Sequence, residues 1–412
     1  MIFKAYNFSK LLYSSLCEQC LTRMQQPLTK WRKEFITEVL WLILSIQGKV
    51  NFSQLARYGN SCEQRYRQQF ERDFDFLDFN TQLIKQQSSQ RLVIAFDPSY
   101  ISKSGKHTPG VGYFWSGCAN STKWGLEICG MAAIDLDNHT GMHMEAVQTF
   151  KQQNQTLMEY YCRIIISRKE ALQAISKTVV VDAYFSKETF VTPLCREGFH
   201  VVSRFRDDVR LQYILEATRT GKRGRPKTNG GVVDVKNPEE NYFSLVMQED
   251  TSIRMYTAVV KAVSLKRPVR IVVIQSIEDD TVKDCKIFFS TDIQMEASLI
   301  MEIYKSRFQI EFIYRDAKQY TGLTHCQARD EKKLHFHFNI SLTAVNIAKA
   351  VHWYSIPKQD RKAFSLADVK SSTTISCYWN NFLQCMPQTR TYLKINKTSK
   401  SSYIMARRPL KV

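Results

Sequence analysis

The stretch IYKSRFQIEFIYRDAKQY, residues 303–320, decides how the rest of the chain is interpreted. It places Arg307, Glu311 and Lys318 at offsets of 3, 7 and 14 from Tyr304. At 100° per residue these offsets correspond to about 300°, 340° and 320°, so the four side chains share one stripe of a helix. A carboxylate flanked by a phenol, a guanidinium and an ammonium suits a divalent metal held beside a polyphosphate backbone.

Two aspartates upstream can complete such a site. Asp97 comes at the end of the apolar run Leu92–Phe96, and Asp182 follows the β-branched run 178–181. Runs of this kind predict strands buried on both faces, and an aspartate at a strand end lies at the sheet edge, where catalytic groups of α/β folds gather. Two strand carboxylates and one helix carboxylate form an all-oxygen set, which suits Mg²⁺ or Mn²⁺ rather than Zn²⁺.

These three carboxylates and the helix signature carry a family resemblance. Asp97, Asp182 and Glu311, with the Tyr-Arg-Glu-Lys spacing, resemble the DDE transposases of bacterial insertion sequences, in particular the cut-and-paste, hairpin-forming group. The similarity covers roughly residues 92–350. It implies an α/β fold: an RNase H-like mixed sheet flanked by helices, with an all-β insertion before the last catalytic helix and a helical N-terminal region.

The resemblance also assigns roles to residues. It implies that the three carboxylates are catalytic and hold two Mg²⁺ ions, for which Mn²⁺ substitutes. It further implies that Tyr304, Arg307 and Lys318 bind the DNA strand near the scissile phosphate. The plainer interpretation of the helix is a solvated face with an i,i+4 ion pair between Arg307 and Glu311. Two nearby carboxylates compete for the third position, but Glu302 and Asp316 lie about 180° and 140° from Glu311 around the helix.

Composition favours a polyanionic partner. The 412 residues carry a formal net charge of +19, with Lys and Arg spread along the whole length rather than gathered in one tail. This predicts binding to nucleic acid, whereas the alternative is a highly soluble basic protein without that role. By resemblance, the partners are the terminal inverted repeats of an element and its target DNA, bridged by a homodimer.

The spacing of the cysteines and the hydropathy of the sequence indicate the cellular compartment of the protein. The eleven cysteines show no repeating spacing, and Cys17-x-x-Cys20 is the only close pair. This predicts reduced thiols rather than a zinc site. No secretory leader is recognised, and the apolar stretch from Val39 is too short to span a bilayer. We therefore expect a cytoplasmic protein, associated with the bacterial nucleoid and not with a membrane.

Periodicity divides the chain into five regions. They are a helical DNA-binding or accessory region (1–88), the first part of the catalytic core (89–205), a β-rich insertion (206–292), the second part of the core with the glutamate-bearing helix (293–355) and a basic C-terminal tail (356–412). In the first region, SQLARYG from Ser53 resembles the entry to a helix-turn-helix, and a plain helical bundle explains it equally well. The 129 positions between Asp182 and Glu311 exceed one strand-helix connection, and they contain three strand-like runs.

Two basic loops are further candidates for DNA binding. Lys103 and Lys106 lie in a Gly- and Ser-rich loop after the first aspartate strand. Arg223, Arg225 and Lys227 lie in GKRGRPK, which resembles the core of an AT-hook that lays arginines along a minor groove. A disordered basic loop that touches phosphates without sequence preference is the alternative for the second segment.

The sequence contains less information about the roles of the aromatic residues. Trp115 and Trp124 flank a glycine-bearing turn, and core packing is the expectation for both. Hairpin-forming relatives stack a flipped base on an aromatic side chain of the β insertion. The insertion here contains no tryptophan, which leaves Tyr242, Phe243 and Tyr256 as candidates.

The sequence therefore predicts a DNA transposase that cuts element ends and joins them to target DNA. Two other functions stay open. A structure-specific RNase H-like nuclease would use the same carboxylates to hydrolyse without joining, and a domesticated DNA-binding protein would have no catalysis.

Overall fold

The computed structural model of the protein describes residues 2–151, 154–215, 229–249, 252–279 and 281–374. The α-helices are α1 (Ile2–Arg23), α2 (Lys30–Ser45), α3 (Phe52–Tyr58), α4 (Glu63–Phe70), α5 (Phe76–Gln87), α6 (Leu157–Ile166), α7 (Lys169–Gln173), α8 (Glu188–Arg196), α9 (Ala297–Ser306), α10 (Gln309–Asp316) and α11 (Glu331–Lys349). Across the described residues, no helix is both long enough and apolar enough to cross a membrane.

The strands form one large sheet. They are β1 (Leu92–Ser102), β2 (Gly112–Ser116), β3 (Ser121–Asp135), β4 (Thr140–Gln148), β5 (Thr178–Val180), β6 (His200–Arg204), β7 (Leu211–Ile214), β8 (Asn229–Val232), β9 (Ser244–Glu249), β10 (Ile253–Ala262), β11 (Arg267–Glu278) and β12 (Thr281–Ser290).

The N-terminal region is helical, as the apolar periodicity predicts. In α2 the residues at helical spacing from Phe35 to Leu44 are buried. Thr29 caps the helix, because its hydroxyl accepts a hydrogen bond from the Arg32 amide at 3.3 Å. Gly48, in the left-handed region with φ of +82°, follows the end of the helix. Helices α1 to α5 thus fill most of the chain before the sheet begins.

The centre of the sheet combines antiparallel and parallel neighbours. β3 lies antiparallel between β4 and β1, and β5 and β6 follow β1 as parallel strands. Helices cover both faces: Phe96 of β1 packs against Tyr161 of α6 and Phe190 of α8, whereas α10 lies over the opposite face. The predicted α/β class, a mixed sheet flanked by helices, is confirmed.

The β-rich insertion continues this sheet. The three predicted strand-like runs are β10, β11 and β12. β12 pairs antiparallel with β6 of the core, with Phe289 opposite Ser203, and β11 and β10 follow it outward. Since the hydrogen-bonded ladder crosses from core to insertion without interruption, these strands are attached rigidly to the strand that follows Asp182.

The long buried helix α11 closes the β4 edge of the sheet. Asn339 accepts a hydrogen bond from the Ala146 amide at 2.7 Å and donates to the Ala146 carbonyl at 2.8 Å. Asn346 does the same with His143, at 2.8 and 2.7 Å. Side-chain amides on a helix therefore satisfy the outer backbone groups of an edge strand that water or another strand would otherwise occupy.

The single helix expected for the signature stretch, residues 303–320, needs correction. Helices α9 and α10 are separated at Arg307 and Phe308, where i→i+3 bonding interrupts the α-helix. A π-helical segment, Ala317–Thr321, then follows α10. Residues 366–374 of the predicted tail are helical, and Thr373 there donates to the Leu44 carbonyl at 2.6 Å.

Candidate active site

The strand register brings the two aspartates together. β1 pairs with β5 at Ile94 and Ala95, and the last parallel pair is Ala95 with Val180. Asp97 and Asp182 each follow that pair by two residues, so they lie side by side where the parallel ladder ends. Asp97 is not at the end of its strand, as the sequence suggested, because β1 continues along β3 to Ser102.

Helix α10 is fixed directly over Asp97. The Tyr314 hydroxyl donates a hydrogen bond to the Asp97 backbone carbonyl at 2.6 Å. Opposite Asp97 on β3 is Gly130, and a Cβ atom there would collide with the Tyr314 hydroxyl. A glycine at this position lets the helix approach the sheet closely, which brings the carboxylate of Glu311 toward the aspartates.

The Asp97 carboxyl is held in an electrostatically crowded place. Burial raises its pKa to about 8, the Arg307 guanidinium opposes the increase in pKa, and the charges of Asp182 and Glu311 add to it. Both other predicted carboxylates are therefore within electrostatic range of Asp97. A pKa perturbed by burial and by neighbouring like charges is typical of functional sites.

Asp182 is ordered by the turn that it begins. One of its carboxylate oxygens accepts a hydrogen bond from the Tyr184 amide at 3.0 Å. Its backbone carbonyl accepts a hydrogen bond from the Ser203 hydroxyl of β6 at 2.8 Å. Burial raises the pKa of the Asp182 carboxyl, and Arg307 lowers it. The side chain thus faces the same guanidinium as Asp97.

Arg307 is the cation at the centre of the group. Its Nη2 atom lies 2.9 Å from Oε1 of Glu311, and its side chain is 11% exposed compared with 37% for Glu311. Its Nε atom is buried and has no hydrogen-bond partner among the described residues. One guanidinium thus faces three carboxylates, so when all three are ionised the group carries excess negative charge.

Tyr304 and Lys318, the remaining residues of the signature, also lie near Arg307 and Asp97. The Tyr304 ring packs edge-on to Phe288 at 4.8 Å between ring centres; burial raises the Tyr304 pKa, whereas Arg307 lowers it. Lys318 lies in the π-helical segment, and its ammonium donates to the Ser99 hydroxyl at 2.9 Å. Burial lowers the Lys318 pKa, and the charge of Asp97 raises it.

One basic residue of the site was not identified from the sequence. Arg204 ends β6 and is close enough to Tyr304 to lower its pKa. Its Nε atom is buried without a hydrogen-bond partner among the described residues, and its backbone carbonyl accepts a 2.6 Å hydrogen bond from Ser186, in the turn after Asp182. The sequence gives no signal for this role, because it depends on the pairing of β6 with β5 in the sheet.

The competing carboxylates are engaged elsewhere. Glu302 forms an ion pair with Arg91 at 2.6 Å, and Asp316 is buried and pairs with Arg315 at 2.9 Å. The helix thus directs Glu311 to the aspartates and these two acids to other partners.

The predicted basic loops have different surroundings. The Lys103 ammonium donates to the carbonyls of Cys326 and Ala328 at 2.6 and 3.0 Å, so it ties the end of β1 to the segment before α11. Lys106 is exposed to solvent. The other three predicted DNA-binding residues, Arg223, Arg225 and Lys227, lie outside the described residues. DNA binding at all these positions stays a prediction.

The donor chemistry of the site fits a divalent cation. Within the described ranges, no three Asp, Glu, His or Cys side chains stand close enough together to hold a metal ion. The three carboxylates are nevertheless oxygen donors of the kind that Mg²⁺ prefers, and their mutual repulsion is the imbalance that a cation would relieve.

Comparison with known proteins assigns the chain to a family. The chain belongs to the transposase DDE domain family, whose model matches residues 90–347, and this match supports a DNA transposase. The cryo-EM structure of a piggyBac transposase synaptic complex with hairpin DNA is similar over 94% of this chain and 84% of that chain, at 12% identity and a TM-score of 0.39. No protein with curated annotation matches the sequence.

Proposed function

We propose that the protein cuts the ends of a bacterial insertion sequence and joins them to target DNA, with Asp97, Asp182 and Glu311 as catalytic metal ligands. The observation that carries the proposal is the electrostatic grouping of the three carboxylates around Arg307. All three lie inside the segment 90–347 that matches the transposase family.

The carboxylates and the cations have complementary roles. Two bound Mg²⁺ ions, or Mn²⁺ in their place, would activate the attacking oxygen and stabilise the leaving oxygen of the phosphodiester. Asp97 and Asp182 would hold the ions from adjacent strands, with Glu311 as the third carboxylate. The Arg307 guanidinium would contact a phosphate oxygen, for which its planar, multi-donor geometry is suited.

Tyr304, Lys318 and Arg204 surround this centre and would hold the DNA strand. Arg204 and Arg307 each keep a buried Nε–H without a partner among the described residues, and a phosphate oxygen would satisfy it. The exposed Lys106, together with Lys103 and the GKRGRPK loop, would add phosphate contacts whose affinity falls steeply with salt.

DNA recognition, the oligomeric state and the route of excision are proposed from the resemblance to DDE transposases of insertion sequences. The protein would recognise terminal inverted repeats as a homodimer that bridges two ends, and excision would pass through a hairpin intermediate. The reaction would take place on chromosomal DNA in the cytoplasm, at the nucleoid.

The test is incubation of the protein with the inverted-repeat DNA that flanks its own gene, in Mg²⁺, beside the Glu311→Gln variant. Nicks at the repeat boundary and joined products, both absent with the variant, are expected. Nicks without joined products would favour the structure-specific nuclease. Binding without any metal-dependent cut would exclude catalysis and favour a DNA-binding protein.

A further inference from the structure

Three large aromatic side chains lie exposed on the ribbon formed by β2 and β3. Tyr113 is 63% exposed, Trp115 57% and Trp124 38%. The expectation that both tryptophans pack in the core is therefore wrong. The ribbon extends past the part of β3 that pairs with β1, so there is no core to cover these rings. Exposed aromatic rings gathered on one surface mark an interaction site.

Strand register places these rings on the same face of the sheet as Asp97. Tyr113 lies directly opposite Trp124, with 5.3 Å between ring centres, and Trp115 follows Tyr113 by two residues on the same face. Trp124 precedes Gly130, the partner of Asp97, by an even number of residues, and the β1–β3 register is unbroken there. We name Tyr113, Trp115 and Trp124 the aromatic face.

The backbone beneath the aromatic face is braced from both strands. The Tyr100 hydroxyl donates to the Trp124 carbonyl at 2.6 Å. The Lys151 ammonium donates to the Tyr113 carbonyl at 2.8 Å and lies 4.8 Å from the centre of the buried Phe114 ring. The rings are thus presented on a fixed support, which lowers the entropy that a ligand must overcome on binding.

The charge around the aromatic face is positive. Residues 100–125 contain Lys103, Lys106 and Lys123 and no acidic residue. The turn between β2 and β3 also comes near the active site, because Cys118 lies within electrostatic range of the Lys318 ammonium. The aromatic face therefore lies on the same side of the sheet as Asp97, in surroundings that are complementary to a polyanion.

We infer that the aromatic face stacks unpaired bases of the DNA next to the cleavage site. Aromatic rings bind the flat faces of bases, and these faces are accessible only where a strand is unpaired, whereas the flanking lysines suit the backbone of the same strand. The inference rests on the proposed function for its ligand, since strand cleavage at an element end supplies such bases.

The test compares binding to two DNAs in the Glu311→Gln background, which prevents cleavage. One is a blunt duplex that carries the element end, and the other is the same duplex with a short unpaired extension. Trp115→Ala should weaken binding to the extended duplex by roughly tenfold and leave the blunt duplex nearly unchanged. Trp115→Phe should restore most of the loss, because a phenyl ring still stacks.

The matched control is Ile356→Ala, which shortens a large apolar side chain that is 37% exposed after α11, outside the regions to which DNA binding is assigned. It should leave the affinities for both DNAs as they are. A fluorescent base analogue in the extension should be quenched by the parent protein, and Trp115→Ala should relieve the quenching. An equal loss for both DNAs, or no loss and no change in quenching, would overturn the inference. So would a shift toward monomer in Trp115→Ala, which would assign the face to a second copy of the chain.

Failure of this inference is distinguishable from failure of the proposed function. If the wild-type protein nicks its repeat DNA and Glu311→Gln does not, the proposed function stands. Unchanged binding by Trp115→Ala would then reject only the aromatic face as a stacking surface.

Discussion

Two buried polar clusters lie against the same sheet and differ in how their hydrogen bonds and charges are balanced. In the first, Asn80, His143, Asn339 and Asn346 join α5, β4 and α11. Asn346 donates to the Asn80 side chain at 3.0 Å, and the His143 ring lies 3.1 Å from Asn339 Oδ1. Burial lowers the pKa of His143 to about 3, so the ring is neutral. This asparagine cluster is uncharged and internally satisfied.

The second cluster, around Arg307, is charged, and its charges are not balanced. Three carboxylates face one guanidinium, and two buried Nε–H groups, on Arg307 and Arg204, have no partner among the described residues. Satisfied buried networks stabilise and specify a fold, whereas strained or unbalanced ones concentrate at functional sites. The comparison shows that an imbalance of charge, rather than polarity, separates the site from the scaffold.

The largest expected effect is on catalysis. Asp182→Ala should slow cleavage by on the order of a thousandfold, because it removes a proposed metal ligand, and such a ligand contributes several kcal/mol at the transition state. DNA binding measured by anisotropy should persist. The matched control, Asp284→Ala, removes a carboxylate that is 57% exposed on β12 and should leave cleavage unchanged. Loss of binding together with cleavage in Asp182→Ala would count against the metal role.

A substitution in the asparagine cluster should lower the stability of the protein rather than its activity. Asn339→Ala leaves the amide and the carbonyl of Ala146 without partners, at a cost of about 1–3 kcal/mol for each group. Thermal unfolding should move to a lower temperature, while cleavage below that temperature continues at the wild-type rate. A variant as stable as the wild type would show that β4 does not depend on this side chain.

Metal and pH should change the stability that the Arg307 cluster contributes. The native pKa of Asp97, about 8, lies above the unfolded value of about 3.9, so the native state binds the proton more tightly. Stability contributed by the protonated form is therefore lost as the pH rises from about 4 to about 8. Mg²⁺ at a hundredfold above its Kd should add about 2.7 kcal/mol to stability at pH 8.

Calorimetry of wild type, Asp97→Asn and Asn339→Ala with and without Mg²⁺ checks this expectation. Stabilisation by Mg²⁺ should vanish in Asp97→Asn and persist in Asn339→Ala. Equal stabilisation of all three proteins would place the ion elsewhere.

The smallest expected effect comes from the contact that seats α10. Tyr314→Phe removes the hydrogen bond to the Asp97 carbonyl and keeps the ring, so the loss of stability should be about 1 kcal/mol. Cleavage should slow by only a few-fold, because the helix keeps its packing. Urea denaturation and a cleavage time course measure the two effects. An unchanged urea midpoint would show that this hydrogen bond does not stabilise the protein.

The hydrophobic pattern of the sequence predicted the strands correctly where a single apolar run forms the strand. The apolar runs before Asp97 and Asp182 are β1 and β5, and the strand-like runs of the insertion are β10 to β12. The break at Arg307 was not predictable in the same way, since α, 3₁₀ and π turns differ little in residue preference. The roles proposed for the three carboxylates stay predictions.

Long-range contacts account for what the sequence did not reveal. Asn339 meets Ala146 from 193 positions away, and Gly130 matters only because Tyr314 packs over it. The exposure of Trp115 depends on how far the β2–β3 ribbon extends beyond β1. Arg204 resembles any strand-end arginine until β6 is placed beside β5.

The most direct test of the central claim is anomalous diffraction from the protein bound to its terminal-repeat DNA and Mn²⁺. The account predicts Mn²⁺ at about 2.1 Å from carboxylate oxygens of Asp97, Asp182 and Glu311, with Arg307 moved from Glu311 to a phosphate. Mn²⁺ absent from these oxygens, with the Arg307–Glu311 pair intact beside bound DNA, would contradict it.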